Sequence, residues 1–125
     1  MKKKYRLRKI TEFKEVLRKG KSIKTSNLIF IYLPKQINKE NSKNNIKIGI
    51  IIPKKKCKKA VDRNYLKRVI WAIHSNIQLN NLPSCFSIFL YTSYFYSRYQ
   101  YKKIDFLAIE KDIKKIYSIL LKKCS

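Results

Sequence analysis

The densest chemistry in the sequence lies between Pro53 and His74, PKKKCKKAVDRNYLKRVIWAIH. Eight positive side chains fall between Lys54 and Arg68, against the single acid Asp62. The chemistry of such a run is phosphate binding. Five lysines, Lys54, Lys55, Lys56, Lys58 and Lys59, lead directly into the start of a helix, where unpaired backbone N–H groups already attract anions. Projected as a helix, residues 60–77 divide into two arcs. Leu66, Val69, Ile70, Ile73 and Ile77 form a core stripe, and Arg63, Asn64, Lys67, Arg68 and Trp71 form a polar one. Charge on a helix surface is ordinarily solvation. Here there are almost no acids for i,i+4 pairs, and Asn64 is a weak helix former with hydrogen-bonding capacity. A phosphate-binding face accounts for all of these features together.

The residues that would cut a bond are scarce. A protein nuclease needs clustered carboxylates for metal ions or a histidine-based acid–base pair. The seven acids, Glu12, Glu15, Glu40, Asp62, Asp105, Glu110 and Asp112, are scattered over loops and different helices. Glu12 and Glu15 share the first helix, where its dipole stabilises them. His74 is the only histidine and ends the second helix, so a capping or surface role is expected for it. There is no P-loop, no G-x-G-x-x-G and no metal-ligand spacing. Protein-only catalysis is not expected.

The whole chain shares the sign of its basic stretch. It has 125 residues, expected to form one domain (1–125), with 31 Lys and Arg against 7 acids and a formal net charge of +24. Such self-repulsion costs stability and calls for a polyanionic partner. Nucleic acid fits best, since release of its counterions drives binding; an anionic membrane surface ranks second. With 45% hydrophobic and 13% aromatic residues, the chain has ample material for a core. Lysine outnumbers arginine by 25 to 6, and Asn and Ile are abundant, a bias expected of an AT-rich genome. Cys57, Cys85 and Cys124 form no CxxC pair and read as reduced thiols. The basic start lacks an apolar signal core, and "LIFIYL" (28–33) is far too short to span a bilayer, so a cytoplasmic location without membrane attachment is expected.

The elements that must position the basic arc are legible in outline. Residues 11–20 read as a short helix with Thr11 as N-cap, Glu12 in the first turn and Gly20 as the stop. Ile10, Phe13, Val16 and Leu17 fall on one side of it. "LIFIYL" (28–33) reads as a strand and 35–45 as a loop. "IKIGIII" (46–52) reads as a second strand, with Ile46, Ile48, Ile50 and Ile52 on one face and Lys47, Gly49 and Ile51 on the other. "SCFSIFLYT" (84–92) has a buried-strand pattern, and 93–103, rich in Tyr, reads as irregular. A last helix over 105–122 carries Phe106, Ile109, Ile113, Ile116, Tyr117 and Leu120 on one stripe. The order helix, strands, helix, strand, helix suggests an α/β sandwich on one small sheet.

"GIIIPKKKCKKAVDRNYLKR" (49–68) resembles the signature of the bacterial ribonuclease P protein component, roughly G-L-x-V-x-K-K, a few basic residues, then A-x-x-R-N-R-x-K-R. Gly49, Lys54, Lys55, Ala60, Arg63, Asn64, Lys67 and Arg68 match without a gap. "YRLRKITEFKEVLRKGK" (5–21) is similar to the family's opening at Arg6, Leu7, Phe13, Val16 and Gly20. The resemblance implies a mixed sheet of three to four strands packed with three helices, in the order α-β-β-(β)-α-β-α, with a left-handed crossover. It implies the protein subunit of a ribonucleoprotein endonuclease, whose RNA subunit holds Mg2+ and removes the 5′ leader of precursor tRNA. Partners would be that catalytic RNA, one protein per RNA, and the single-stranded leader.

Carried over residue by residue, the resemblance assigns Lys54, Lys55, Lys56, Lys58, Lys59, Arg63, Asn64, Lys67 and Arg68 to the catalytic RNA. Arg6, Phe13, Leu17, Tyr32 and Lys47 would line a leader cleft, in which bases stack without sequence preference. The residue pattern alone reads Leu17 and Ile51 as core positions and leaves Phe13 open between the core and the cleft. Four departures stand out. Tyr65 replaces the motif's second arginine, Trp71 and Ala72 replace a commonly charged pair, Leu17 replaces an aromatic, and Tyr91 and Thr92 fall where basic residues usually end the strand. Two other readings use the same charge: a ribosomal or other structured-RNA-binding protein, and a cationic membrane-surface protein. The second would want one long amphipathic helix, whereas these apolar stripes look committed to a core.

Overall fold

Side chains alternate across a strand, so the spacing of apolar residues decides what each face of the sheet can bury. The computed structural model describes residues 3–34, 46–99 and 104–123. Four strands, β1 (Lys21–Lys24), β2 (Leu28–Pro34), β3 (Lys47–Ile50) and β4 (Cys85–Tyr91), form one mixed sheet in the order β1-β2-β4-β3. β2 runs antiparallel to β1 and β4, and β3 runs parallel to β4. Helices α1 (Ile10–Lys19), α2 (Ala60–His74), α3 (Ser93–Arg98) and α4 (Phe106–Lys123), with short 3-10 turns at Lys3–Tyr5 and Leu79–Asn81, are the other described elements. The expected α/β sandwich is borne out, in the order α-β-β-β-α-β-α, with the short α3 inserted before the last helix.

One sheet face is sealed. Leu28, Phe30 and Tyr32 of β2, Ile48 and Ile50 of β3, and Cys85, Phe89 and Tyr91 of β4 pack against α2 and α4. The stripes read from the sequence supply the other half of this core: Leu66, Val69, Ile70 and Ile73 from α2, with Ile109, Ile113, Ile116, Tyr117 and Leu120 from α4. Phe106, expected on the α4 stripe, is exposed at the helix start. Phe89 lies 4.8 Å from Phe30 and 6.0 Å, edge-on, from Tyr117 between ring centroids. Such pairs each add about 0.5–1.5 kcal/mol beyond area burial.

His74 is neither a cap nor a surface residue; it is 1% exposed within this core. Its Nδ1 lies 2.7 Å from the Ile70 carbonyl oxygen and its Nε2 lies 2.6 Å from the Tyr117 hydroxyl. A carbonyl can only accept, so Nδ1 carries the proton and Nε2 accepts from Tyr117. Burial pushes the imidazole down to about 4, and the neutral ring ties α2 to α4. Tyr91 makes a similar tie, its hydroxyl donating to the Leu66 carbonyl at 2.8 Å.

Of the described helices, only α1 lies on the other face. Val16 is the one buried residue of this ten-residue helix, packing with Leu7 and Ile88. Gly20 turns the chain into β1 with ordinary extended backbone; it is glycine because an added Cβ would lie 2.6 Å from Ile31 Cγ2. The helix begins after Lys9, not Thr11: the Lys9 carbonyl already accepts from Glu12 and Phe13.

Two elements escaped the pattern reading. β1 has one buried apolar residue, Ile23, and becomes a strand through its pairing with β2. α3 forms inside the stretch expected to be irregular because the Thr92 hydroxyl accepts from the Phe95 N–H at 3.1 Å and caps the turn. The expected loop at 35–45, residues 100–103 and Cys124 lie outside the described residues.

Candidate nucleic-acid interface

A buried anchor holds the basic approach to α2 in shape. Pro53 starts a turn in which the Lys56 and Cys57 N–H groups both donate to its carbonyl at 3.1 Å. Cys57 is buried, while Lys54, Lys55, Lys56, Lys58 and Lys59 are exposed around it. Burial pushes the Cys57 thiol up, which keeps it protonated and unreactive. α2 then begins after Lys59 without a side-chain cap, so its first-turn N–H groups add to the positive field.

Asn64 and Arg68 are exposed on α2, and Arg63 and Lys67 are half-buried. Asn64 and Arg68 of the expected polar arc therefore face away from the core, whereas Trp71 packs against it, and five exposed lysines precede the arc in sequence. Arg63 has a further duty that the sequence did not suggest. Its Nη1 donates to the carbonyls of Cys57 and Lys58 at 2.9 and 2.7 Å, fastening the lysine turn to the helix. Tyr65 is exposed beside the ridge, and Trp71 lies half-buried beneath the Arg6 guanidinium, 5.2 Å from ring to Cζ.

The expected cleft residues divide. Phe13 lies against β3, and an added Cβ at Gly49 would come within 2.5 Å of its ring. Only glycine lets that ring approach so closely. Leu17, expected in the core by its spacing, is 49% exposed on the flank of α1. Arg6 and Lys47 share a cavity of about 460 Å³ with Lys4, Arg8, Lys9 and Glu12, and Lys47 Nζ donates to the Lys4 carbonyl there.

Tyr32 must be corrected. It is 2% exposed and stacks on Phe30 within the sealed core, on the opposite side of the sheet from α1. One residue along a strand changes the face, so its neighbours Ile31 and Leu33 occupy the α1 side. With Ile51, Phe86 and Leu90 they form a half-buried apolar floor. The alternation of "LIFIYL" holds the signal for Ile31 and Leu33, whereas the resemblance implies Tyr32.

The carboxylates do not gather. Asp112 Oδ2 accepts from Thr25 Oγ1, Asn27 N and Asn27 Nδ2 at 3.0–3.2 Å, tying α4 to the β1–β2 turn. Glu15 pairs with Lys19 and Glu110 with Lys114. Among the described residues no group of three or more His, Cys, Asp or Glu is placed to hold a metal ion. Nor, among the described residues, is any helix long and apolar enough to cross a membrane.

A family model described as Ribonuclease P matches residues 1–121. The chain belongs to the bacterial ribonuclease P protein family. The ribonuclease P protein component of Mycoplasmopsis pulmonis is 37% identical over 117 residues, covering 93% of this chain and 91% of that protein. That of Mycoplasma mobile is 34% identical over 116 residues, with 93% and 89% covered. The ribonuclease P protein structure from Thermotoga maritima has a similar fold, with a TM-score of 0.71 at 19% identity over 90% of this chain and 94% of that one. One from Staphylococcus aureus gives 0.68 at 21% identity, with 97% and 95% covered. The chain is thus a protein subunit of ribonuclease P, a ribonucleoprotein endoribonuclease of tRNA processing.

Proposed function

We propose that this subunit grips the ribonuclease P RNA with the ridge of α2 and receives the 5′ leader of precursor tRNA on the α1 face of its sheet. The outward position of Asn64 and Arg68, continuous with five exposed lysines, carries this reading. Lys54, Lys55, Lys56, Lys58 and Lys59 neutralise phosphates as mobile point charges. Arg68 and the remaining donors of Arg63 offer planar, directional contacts, and Asn64 adds a neutral donor and acceptor. On the other face Phe13 and Leu17 supply surface for unpaired bases, Ile31 and Leu33 supply the floor, and Arg6 and Lys47 hold backbone phosphates at one end. Tyr32 takes no part.

Magnesium, when bound, supplies the hydrolytic chemistry from sites on the RNA and the substrate. This chain binds, neutralises and orients. The test is reconstitution: full-length protein should restore cleavage of precursor tRNA by a ribonuclease P RNA at low magnesium, and Arg68→Ala with Lys67→Ala should weaken that rescue. Binding should fall about 10³–10⁵-fold between roughly 50 and 200 mM salt if 6–10 phosphates are contacted. Failure to rescue, or a flat salt curve, would overturn the reading.

A further inference from the structure

We propose that Tyr94 and Arg98 of α3 form a second stacking platform, which takes one base of single-stranded RNA beyond the stretch held at α1. The inference rests on the reading that the α1 face receives a single strand, and it extends that track to the far end of the sheet.

The placement begins at Thr92. Its hydroxyl caps α3 and donates to the Ser26 carbonyl at 2.6 Å, while its N–H donates to the Asn27 carbonyl at 2.9 Å. The start of α3 is therefore pinned to the β1–β2 turn. On the inner side of α3, Phe95 lies 4.2 Å from Tyr91 and 5.5 Å from Tyr99 between ring centroids. With that side committed to packing, the next i,i+4 pair stands outside. Tyr94 is 51% exposed. The Arg98 guanidinium lies 5.4 Å from its ring centre, and Nη1 donates to the Tyr94 hydroxyl at 2.6 Å. A ring held this way costs little ordering when a base stacks on it.

The ring walls a cavity of about 360 Å³ whose lining includes Lys24, Ser26, Ile29 and Ser93 and no acid. That volume suits a base-sized group, with Ile29 as apolar floor and Lys24 for a phosphate. Ile29 also locates the cavity on the correct face. It is two residues, about 7 Å, from Ile31, which touches the end of α1, and both project to the same side of β2. By contrast, a second cavity, lined by Arg98 itself, also includes Asp105, which disfavours a polyanion there. Tyr91 and Thr92, which stand where the resemblance implies basic residues, are buried; Lys24 in the cavity lining and Arg98 over the Tyr94 ring supply positive charge beside them.

An i,i+4 Tyr–Arg pair also steadies its own helix, and the test must separate the two roles. The full-length chain would be titrated into single-stranded RNA of about twelve nucleotides, within the site sizes of such grooves, carrying 2-aminopurine at one position at a time. The wild type should quench fluorescence at one position that Tyr94→Leu leaves bright, with about 5- to 150-fold weaker binding for that variant. Tyr94→Phe, which keeps the ring and loses the hydroxyl, should retain both quenching and affinity. Unchanged affinity and quenching in Tyr94→Leu would overturn the platform. So would a loss spread evenly over all positions, the signature of a merely structural role. If the wild type binds no single strand at all, the reading of the α1 face fails first, and the platform with it.

Discussion

The two faces of the sheet are built from similar residues and serve different ends. Against α2 and α4, β2 and β4 present Leu28, Phe30, Tyr32, Phe89 and Tyr91, all buried and interlocked through His74 and Tyr117. Toward α1 the same strands present Ile29, Ile31, Leu33, Phe86 and Leu90, all only half-buried, around the single buried Ile88. A ten-residue helix with one buried side chain cannot cover four strands. The difference teaches that an apolar row is a core only where a partner of equal width is laid over it. Elsewhere it stays a half-buried floor.

Four perturbations would break or sharpen that contrast. The largest effect is expected from Phe89→Ala on the sealed face, which should cost about 3–5 kcal/mol in denaturant unfolding, because no space-filling neighbour is free to collapse. A loss under 1 kcal/mol would mean this face is not sealed.

Next comes acid. The folded His74 titrates near 4 and an unfolded histidine near 6.5, so the unfolded chain takes up the proton first as pH falls. Stability present above pH 6.5 should therefore decline toward pH 4, by about 3 kcal/mol for this group. His74→Gln should lack that component. Equal pH slopes in the two proteins would contradict the buried neutral tie.

On the open face, Gly49→Ala should displace the Phe13 ring. The expected cost is about 1–3 kcal/mol in unfolding, with weaker binding of single-stranded RNA. An unchanged affinity would detach Phe13 from the binding surface. The smallest effect on folding is expected for Leu17→Ala, within about 0.5 kcal/mol, since the side chain is half exposed. Its consequence should appear in RNA affinity instead. If stability falls by more than about 2 kcal/mol, as for a buried leucine, the two faces do not differ as described.

Much of this architecture was legible beforehand, and the misses have separate causes. The α2 stripe was clear because its apolar positions recur at 3.6-residue spacing, and the split of Ile48 from Gly49 because strands alternate. β1 was hidden because Lys21–Lys24 has no pattern of its own and gains its conformation from its neighbour. α3 was hidden because one hydroxyl cap and an aromatic contact with β4 outweigh a weak local signal. The resemblance puts Tyr32 in the cleft, whereas its register on β2 turns it into the sealed core. His74 was hidden because its hydrogen-bond donor, Tyr117, lies 43 residues away in sequence.

By itself the sequence determined the sign of the partner, the periodicities and the one helix face on which Arg63, Asn64, Lys67 and Arg68 collect. Those are local properties: charge is additive, and a helix or strand period is set by backbone geometry within a few residues. Only the tertiary structure decided which sheet face would be closed and which left open, because that depends on where distant helices come to rest. It also decided that Arg63 would fasten the lysine turn, and that Tyr94 and Lys24, 70 residues apart in sequence, would border one cavity.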